Sequence, residues 1–399
     1  MINIENISFD HCIKCTVCTV YCPVAKVTHL YPGPKQSGPD AERLRIKNPE
    51  LVDESLKYCN NCKRCEIACP SDVKIADIIQ KAKYHYTSKS FSLRNFLLSR
   101  TDLMGSFGTF ASPALNYFTK LFFTKFLLKT FLNISPRSFP TYENGTFVRW
   151  YYEHARNQNR FSEKVTYFHG CYVNYNNHEI GKTLIRILNL MNIGVMITDE
   201  KCCGVPLIAN SSINKAKKNA HFNVKYLAKS VSHDKTKKIV LTSSSCAYAL
   251  KYEYKNLLGV NNSKIYDQIE YITQFIYEKL ESNNFILSTL NIIAAYHAPC
   301  HLERMGGTIY TIGLLKKIPG LQLKILNSEC CGIAGTYGFK NECNQISQDI
   351  GKELFKKINF IQPDVVVTDC ETCKWQIEMN TSYEVVHPLT LLARAIRFD

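Results

Sequence analysis

From about residue 161 onward the apolar positions follow two alternating patterns. Short solid runs at 165–168, 195–198 and 238–242 read as strands buried on both faces, while apolar residues spaced three or four apart over 179–191 and 214–230 read as helices. The same order recurs with strands at 292–296, 323–326 and 365–368 and helices at 308–318 and 344–358. A β-α-β-α-β order met twice predicts two similar α/β domains with parallel sheets.

The first 160 residues carry no such repeat. Helical patterns occur around 41–46 and 51–58, and Ser71-Asp72 can cap a helix to about residue 84 with Val73, Ile75, Ile78 and Ile79 on its apolar side. Between 89 and 160 aromatic and leucine residues crowd in, most densely over 114–134, and Lys120, Lys125 and Lys129 interrupt them. No uninterrupted apolar run reaches the roughly 18 residues of a bilayer span. Lys125 and Lys129 share a side of the helical wheel but Lys120 falls nearly opposite, so no single polar face forms. Two readings stay open for this connector: a helix in the headgroup region of an anionic membrane surface, or a helix packed on neighbouring domains or a partner subunit. The expected division is 1–88, a helical domain; 89–160, a basic aromatic helical connector; and two α/β domains over 161–285 and 286–399.

The chain has 399 residues, enough for two or three domains, and a formal net charge of +15. A basic surface invites nucleic acid, anionic membrane or an acidic protein; the expected partners are the membrane surface and protein subunits, and not nucleic acid. Eighteen cysteines in a chain without a charged, apolar and small-residue leader at its start point to a reducing, cytoplasmic compartment.

Those cysteines carry the chemistry. Cys12-Ile-Lys-Cys15-Thr-Val-Cys18-Thr-Val-Tyr-Cys22-Pro23 has the CxxCxxCxxxCP spacing of a cubane [4Fe-4S] site, and Cys59-Asn-Asn-Cys62-Lys-Arg-Cys65-Glu-Ile-Ala-Cys69-Pro70 repeats it. In such pairs the fourth cysteine serves the other cluster, so Cys12, Cys15, Cys18 and Cys69 are expected to hold one and Cys59, Cys62, Cys65 and Cys22 the second. Zinc favours paired CxxC units closing one tetrahedron, and disulfides need an oxidising compartment; neither accounts for two matched tetrads ending in proline. Two clusters, each carrying about −2 in its oxidised state, would reduce the net charge to about +11.

Further cysteines follow the predicted strands: Cys171, Cys202-Cys203-Gly204 and Cys246 in the first repeat, and Cys300, Cys330-Cys331-Gly332, Cys370 and Cys373 in the second. Ligands of parallel sheets collect beyond the carboxyl ends of the strands, so these segments can converge. Both repeats resemble the cysteine-rich CCG domain family of heterodisulfide reductase subunits and of the iron-sulfur subunit of glycolate oxidase. That resemblance implies an overall α+β multidomain fold, in which an N-terminal helical two-[4Fe-4S] ferredoxin module precedes two α/β CCG domains. It also implies a noncubane [4Fe-4S] cluster on a complete five-cysteine set, which Cys300, Cys330, Cys331, Cys370 and Cys373 match. The first repeat departs from the pattern. Aligning Cys246 on Cys373 puts Ser243 where Cys370 stands, and Cys171, Cys202, Cys203 and Cys246 are left as either an altered cluster site or a structural remnant.

Longer runs, such as Tyr31-Pro-Gly-Pro-Lys-Gln36, Glu200-Lys-Cys-Cys-Gly-Val-Pro-Leu-Ile-Ala-Asn210 and Thr368-Asp-Cys-Glu-Thr-Cys-Lys-Trp-Gln-Ile-Glu-Met379, resemble one branch of this family, the iron-sulfur subunits of quinone-dependent dehydrogenases. The resemblance implies a non-catalytic electron-transfer subunit at the cytoplasmic face of the inner membrane. A flavin-bearing subunit and a companion subunit would be its partners, and membrane menaquinone its acceptor. A catalytic subunit of the heterodisulfide-reductase or glycolate/lactate-oxidase type is the alternative, and a mainly structural membrane anchor a third. His169, His297 and His301 adjoin site cysteines and are expected to support them rather than to ligate; Cys343 matches no motif.

Overall fold

The computed structural model describes residues 9–51, 53–87, 92–232, 237–280, 287–326 and 330–396. Each repeat forms a four-stranded parallel sheet. The first contains β1 (Glu163–Phe168), β2 (Ile193–Ile197), β3 (Ile239–Leu241) and β4 (Ile269–Tyr271) in the order β2-β1-β3-β4. The second contains β5 (Ile293–His297), β6 (Gln322–Leu326), β7 (Val365–Thr368) and β8 (Val385–Val386) in the order β6-β5-β7-β8. Helices such as His178–Leu190, Ile213–Val231 and Asn341–Ile361 run between the strands. Burial on both faces explains why β3 and β7 are solid apolar runs without alternation. The edge strand β6 is the exception, with Gln322 and Lys324 exposed.

The fourth strand of each sheet escaped the pattern reading. Strand β4 is three residues long with Glu270 at its centre, where Lys238 Nζ meets the carboxylate at 3.0 Å, and β8 is two residues long. One continuous core nevertheless joins Val165, Leu241 and Ile272 of the first repeat to Tyr296, Val367 and Leu392 of the second. Carboxyl ends of the two sheets face each other: the Ser244 amide donates to the Asp369 carbonyl at 3.3 Å, and the Tyr271 hydroxyl reaches the same oxygen at 3.4 Å.

In the N-terminal segment the helix Ala41–Lys47 forms as expected. Only Glu54–Tyr58 of the second pattern is helical, as a short turn that Asp53 caps on the Ser55 amide. The helix after the second tetrad runs Ile75–Thr87, and its first amides are capped from elsewhere in the chain. The Glu66 carboxylate accepts from Ala76 and Asp77 at 3.0 and 3.3 Å, while Asp72 is left in a left-handed turn at φ 47°. A carboxylate at a helix N-terminus satisfies orphan amides and meets the favourable end of the dipole.

Among its described residues the connector holds five helices, Leu93–Ser99, Thr101–Phe110, Ser112–Phe118, Phe122–Leu132 and Phe147–His154, and its densest stretch is broken between two of them rather than forming one long element. Arg94 binds the Glu342 carboxylate through two nitrogens at 2.7 and 2.9 Å, and Arg137 reaches Asn344 and Ser347 of the second repeat. Gly105 lies flat under Tyr175 of the first repeat, where an added Cβ would come within 2.2 Å of the ring. One face is thereby tied down. The opposite face leaves Phe110, Phe122 and Phe131 exposed at 90, 83 and 77%. Among the described residues no helix is long and apolar enough to cross a membrane.

Candidate metal centres

The two N-terminal loops coil in the same way. Two and four residues after the first cysteine of each, the backbone turns left-handed, at Lys14 and Thr16 (φ 59° and 63°) and at Asn61 and Lys63 (57° and 64°). Each loop then enters a short helix, Val17–Val20 or Arg64–Ile67. Four non-glycine residues in this region cost about 1–2 kcal/mol each, and matched strain at matched positions marks a built feature. The last cysteine of each tetrad receives an amide from beyond its proline, Ala25 to Cys22 Sγ at 3.5 Å and Val73 to Cys69 Sγ at 3.4 Å.

Electrostatics show which sulfurs are neighbours. The Cys18 thiol is pushed up by burial and then by the charges of Cys12, Cys69 and Cys15. Burial likewise takes Cys22 up to about 11, with Cys59 the foremost thiolate beside it. Cys65 rises through burial, Glu66 and then Cys62, Cys59 and Cys22. Cys69 therefore lies near Cys18, and Cys22 near Cys59 and Cys65 as well as Cys18.

The tetrads are locked to the rest of the molecule by a buried ionic cluster. Lys63, fully buried, contacts Asp77 directly and lies 3.7 Å from Glu66. Burial alone would lower its pKa, but Asp77 and Glu66 overcome that and hold it well above the ordinary value. Asn61 Nδ2 donates to Glu253 Oε1 of the first repeat at 3.1 Å, and Arg64 reaches Glu303 of the second at 3.5 Å.

In the second repeat the five expected cysteines form a connected set. Cys300 contacts Cys330, Cys330 contacts Cys331, Cys331 meets Cys373 at 3.1 Å, and Cys373 contacts Cys370. Hydrogen bonds from Cys330 and Cys373 bring Cys331 down to about 6 against the cost of burial. Gly332 allows this packing: it lies at φ 89°, and a Cβ there would stand 2.0 Å from the Ser347 carbonyl oxygen. In the first repeat Cys171, Cys202, Cys203 and Cys246 join in the same way, and hydrogen bonds from Cys171 and Cys203 hold Cys202 well below the ordinary thiol value. Thr101 of the connector adds its hydroxyl to Cys202 and Cys171 at 3.4 and 3.5 Å.

Three features go beyond the sequence reading. His297, 1% exposed, has no hydrogen-bond partner on either ring nitrogen among the described residues, and its ring lies with the Cys331 and Cys373 sulfurs inside 4.8 Å. It is close enough to bind directly, beyond the supporting role expected of it. His301 keeps such a role, stacked on Tyr248 at 4.9 Å and bonded to Ser245. Burial alone would lower the Arg64 pKa, but Cys300, Cys330, Cys62 and Glu303 raise it, so one guanidinium links the second tetrad to the second repeat; its place inside the Cys62-Lys-Arg-Cys65 motif was the available signal. Cys22, Cys59, Cys300 and Cys330 also share one packed cluster.

All eighteen cysteines are free thiols. Neighbouring sulfurs with thiolates held among them suit a soft-metal cluster, whereas a structural disulfide set would be paired. The two N-terminal tetrads suit cubane [4Fe-4S] clusters, and the second-repeat set suits a further one. The site cysteines of both repeats and Cys62 line a single cavity of ≈ 570 Å³, whose apolar wall includes Leu97, Leu98, Met104 and Leu128 of the connector.

Comparison with known proteins agrees with this geometry. Residues 8–73 match the family described as a 4Fe-4S dicluster domain, and residues 165–251 and 294–378 each match the cysteine-rich CCG domain. The chain is 52% identical over 392 residues to the C subunit of anaerobic glycerol-3-phosphate dehydrogenase from Escherichia coli, covering 98% of this chain and 99% of that one. It is 25% identical to the B subunit of the CoM/CoB fumarate reductase from Methanothermobacter marburgensis, over 94% of this chain and 68% of that one. The D subunit of the dihydromethanophenazine heterodisulfide reductase from Methanosarcina barkeri is 27% identical over 53% of this chain and 52% of that one.

Proposed function

Since the chain belongs to the family of anaerobic glycerol-3-phosphate dehydrogenase C subunits, we propose that it is the iron-sulfur electron-transfer subunit of such a complex, passing electrons from a flavin-bearing subunit toward membrane menaquinone. Cys12, Cys15, Cys18 and Cys69 would hold one [4Fe-4S] cluster, Cys59, Cys62, Cys65 and Cys22 a second, and Cys300, Cys330, Cys331, Cys370 and Cys373 a noncubane one. When bound, these groups supply one-electron acceptor sites. The observation that carries the proposal is the placement of Cys62 and Arg64 against Cys300 and Cys330, which puts the N-terminal tetrads beside the complete cysteine set.

The protein's own side chains set the environment. Arg64 places a permanent positive charge beside Cys62, Cys300 and Cys330, and backbone amides donate to the Cys22 and Cys69 sulfurs at 3.5 and 3.4 Å. The division near residues 88, 160 and 285 gives the connector its own role. One face lines the cavity beside the cysteines and the other presents exposed phenylalanines with Lys120 and Lys129. Such a face suits peripheral binding to an anionic membrane, on the cytoplasmic side of the inner membrane in this proposal.

The test is to purify the chain anaerobically with its native partners, add sn-glycerol 3-phosphate and follow cluster reduction by EPR. Reduction that requires both substrate and the flavin-bearing partner supports the proposal. Clusters that stay oxidised while the flavin is reduced would overturn it. The complete second set also permits a catalytic, disulfide-reducing reading, which disulfide-dependent dye oxidation by the isolated chain would favour.

A further inference from the structure

The first repeat lacks the fifth thiolate, and the structure shows what occupies its surroundings. Ser243, standing where the second repeat has Cys370, accepts the Cys246 amide at 3.3 Å and caps the short helix Ser244–Tyr248. Its hydroxyl proton goes to Glu371 Oε1 at 3.1 Å. Glu371 belongs to the other repeat, directly after Cys370. Glu371 lines the same cavity as Cys171, Cys202, Cys203 and Cys246.

We propose that Glu371 reaches across the pseudo-symmetric interface and completes the first CCG site as its oxygen ligand, giving four thiolates and one carboxylate for an iron-containing cluster. This rests on the iron-sulfur reading of the chain and extends it to the set that the sequence left undecided. Three observations converge. The four sulfurs are already gathered, with Thr101 Oγ1 reaching both Cys171 and Cys202. Ser243 Oγ, at the position of the missing fifth cysteine, lies 3.1 Å from Glu371 Oε1, so a carboxylate oxygen stands beside the place a fifth ligand would fill. The serine that replaces the missing cysteine is engaged in aiming the carboxylate. A neutral hydroxyl is a poor iron ligand, whereas an ionised carboxylate is an established one.

The test uses the anaerobically purified full chain, with iron content and Mössbauer spectra as readouts. Glu371→Gln keeps the size of the side chain and an acceptor for Ser243 but removes the anionic ligand. It is expected to lose the same iron and the same spectral component as Cys246→Ser, and to keep the component that Cys331→Ser removes. The double variant Ser243→Cys with Glu371→Gln supplies the absent thiolate and is expected to recover the lost iron. Wild-type iron content in Glu371→Gln overturns the proposal, as does loss of the Cys331-dependent component instead. If Cys246→Ser also keeps all its iron, the first repeat holds no cluster and the proposal fails, while the N-terminal components remain to support the electron-transfer reading.

Discussion

Lys63→Met removes one cation from a place where water cannot replace it. Lys63 has no exposed side-chain surface, and its partners Glu66 and Asp77 are 1 and 5% exposed. Among the described residues the cation then left at ion-pair distance is Arg304, 4.0 Å from Glu66 and itself 26% exposed. Breaking a buried ion pair from one side costs about 3–5 kcal/mol, because the remaining charge stays desolvated. With a urea slope of about 2 kcal/mol/M, the unfolding midpoint should fall by roughly 1.5–2.5 M. The sign of the pH dependence follows from Glu66, whose pKa burial already raises. Loss of Lys63 raises it further, so the variant's deficit should shrink as pH falls through that folded-state value toward the ordinary carboxylate range and the carboxyl is neutralised. Anaerobic urea titrations, followed by cluster absorbance and circular dichroism, measure both effects. Lys57→Met is the control, since its pair with Glu54 is 45 and 77% exposed and should leave the midpoint within error. A Lys63→Met midpoint within about 0.5 M of wild type would refute the reasoning.

Other predictions concern backbone, protonation and ligand crossing. Gly332→Ala should destabilise the protein by about 3 kcal/mol or more and strip the second CCG site, because a positive φ and a 2.0 Å approach to Ser347 coincide; Gly204→Ala, with no contact under 3.5 Å, should cost only about 1–2 kcal/mol in the same denaturation assay. His387 accepts the Leu389 amide on Nδ1 and donates from Nε2 to the Thr242 carbonyl, and burial holds its pKa down to about 4. The unfolded chain binds that proton first, so stability should fall by about 2–3 kcal/mol as pH drops from about 6.5 to 4, and His387→Gln should flatten that limb of the pH-stability curve. Cys69→Ser should alter the same EPR signal as Cys15→Ser, and Cys22→Ser the same signal as Cys62→Ser; the opposite pairing would contradict the crossed assignment.

Most of the architecture was legible because burial on both faces makes strands into solid apolar runs, and the two repeats reinforced each other. Strands β4 and β8 were not, since three residues around Glu270 and the pair Val385–Val386 carry no periodic signal. Local capping chemistry misplaced one helix start: Ser71-Asp72 looks like a cap, but Glu66, ten residues before Ala76, does the capping through tertiary contact. Cysteine spacing displayed the N-terminal tetrads directly, because their geometry is local. Thr101 meets Cys202, and Glu371 meets Ser243, only through folding across the connector and between repeats, and no spacing rule joins Thr101 to Cys202 over 101 positions.

The central claim is that the chain is an iron-sulfur wire whose first two clusters are cubanes in the N-terminal module. Iron analysis of the anaerobically purified chain, together with EPR after reduction, tests this most directly. At least eight iron atoms per chain, the content of two [4Fe-4S] clusters, with a reducible S = 1/2 signal, is the predicted result. Fewer than eight irons and no such signal would contradict it.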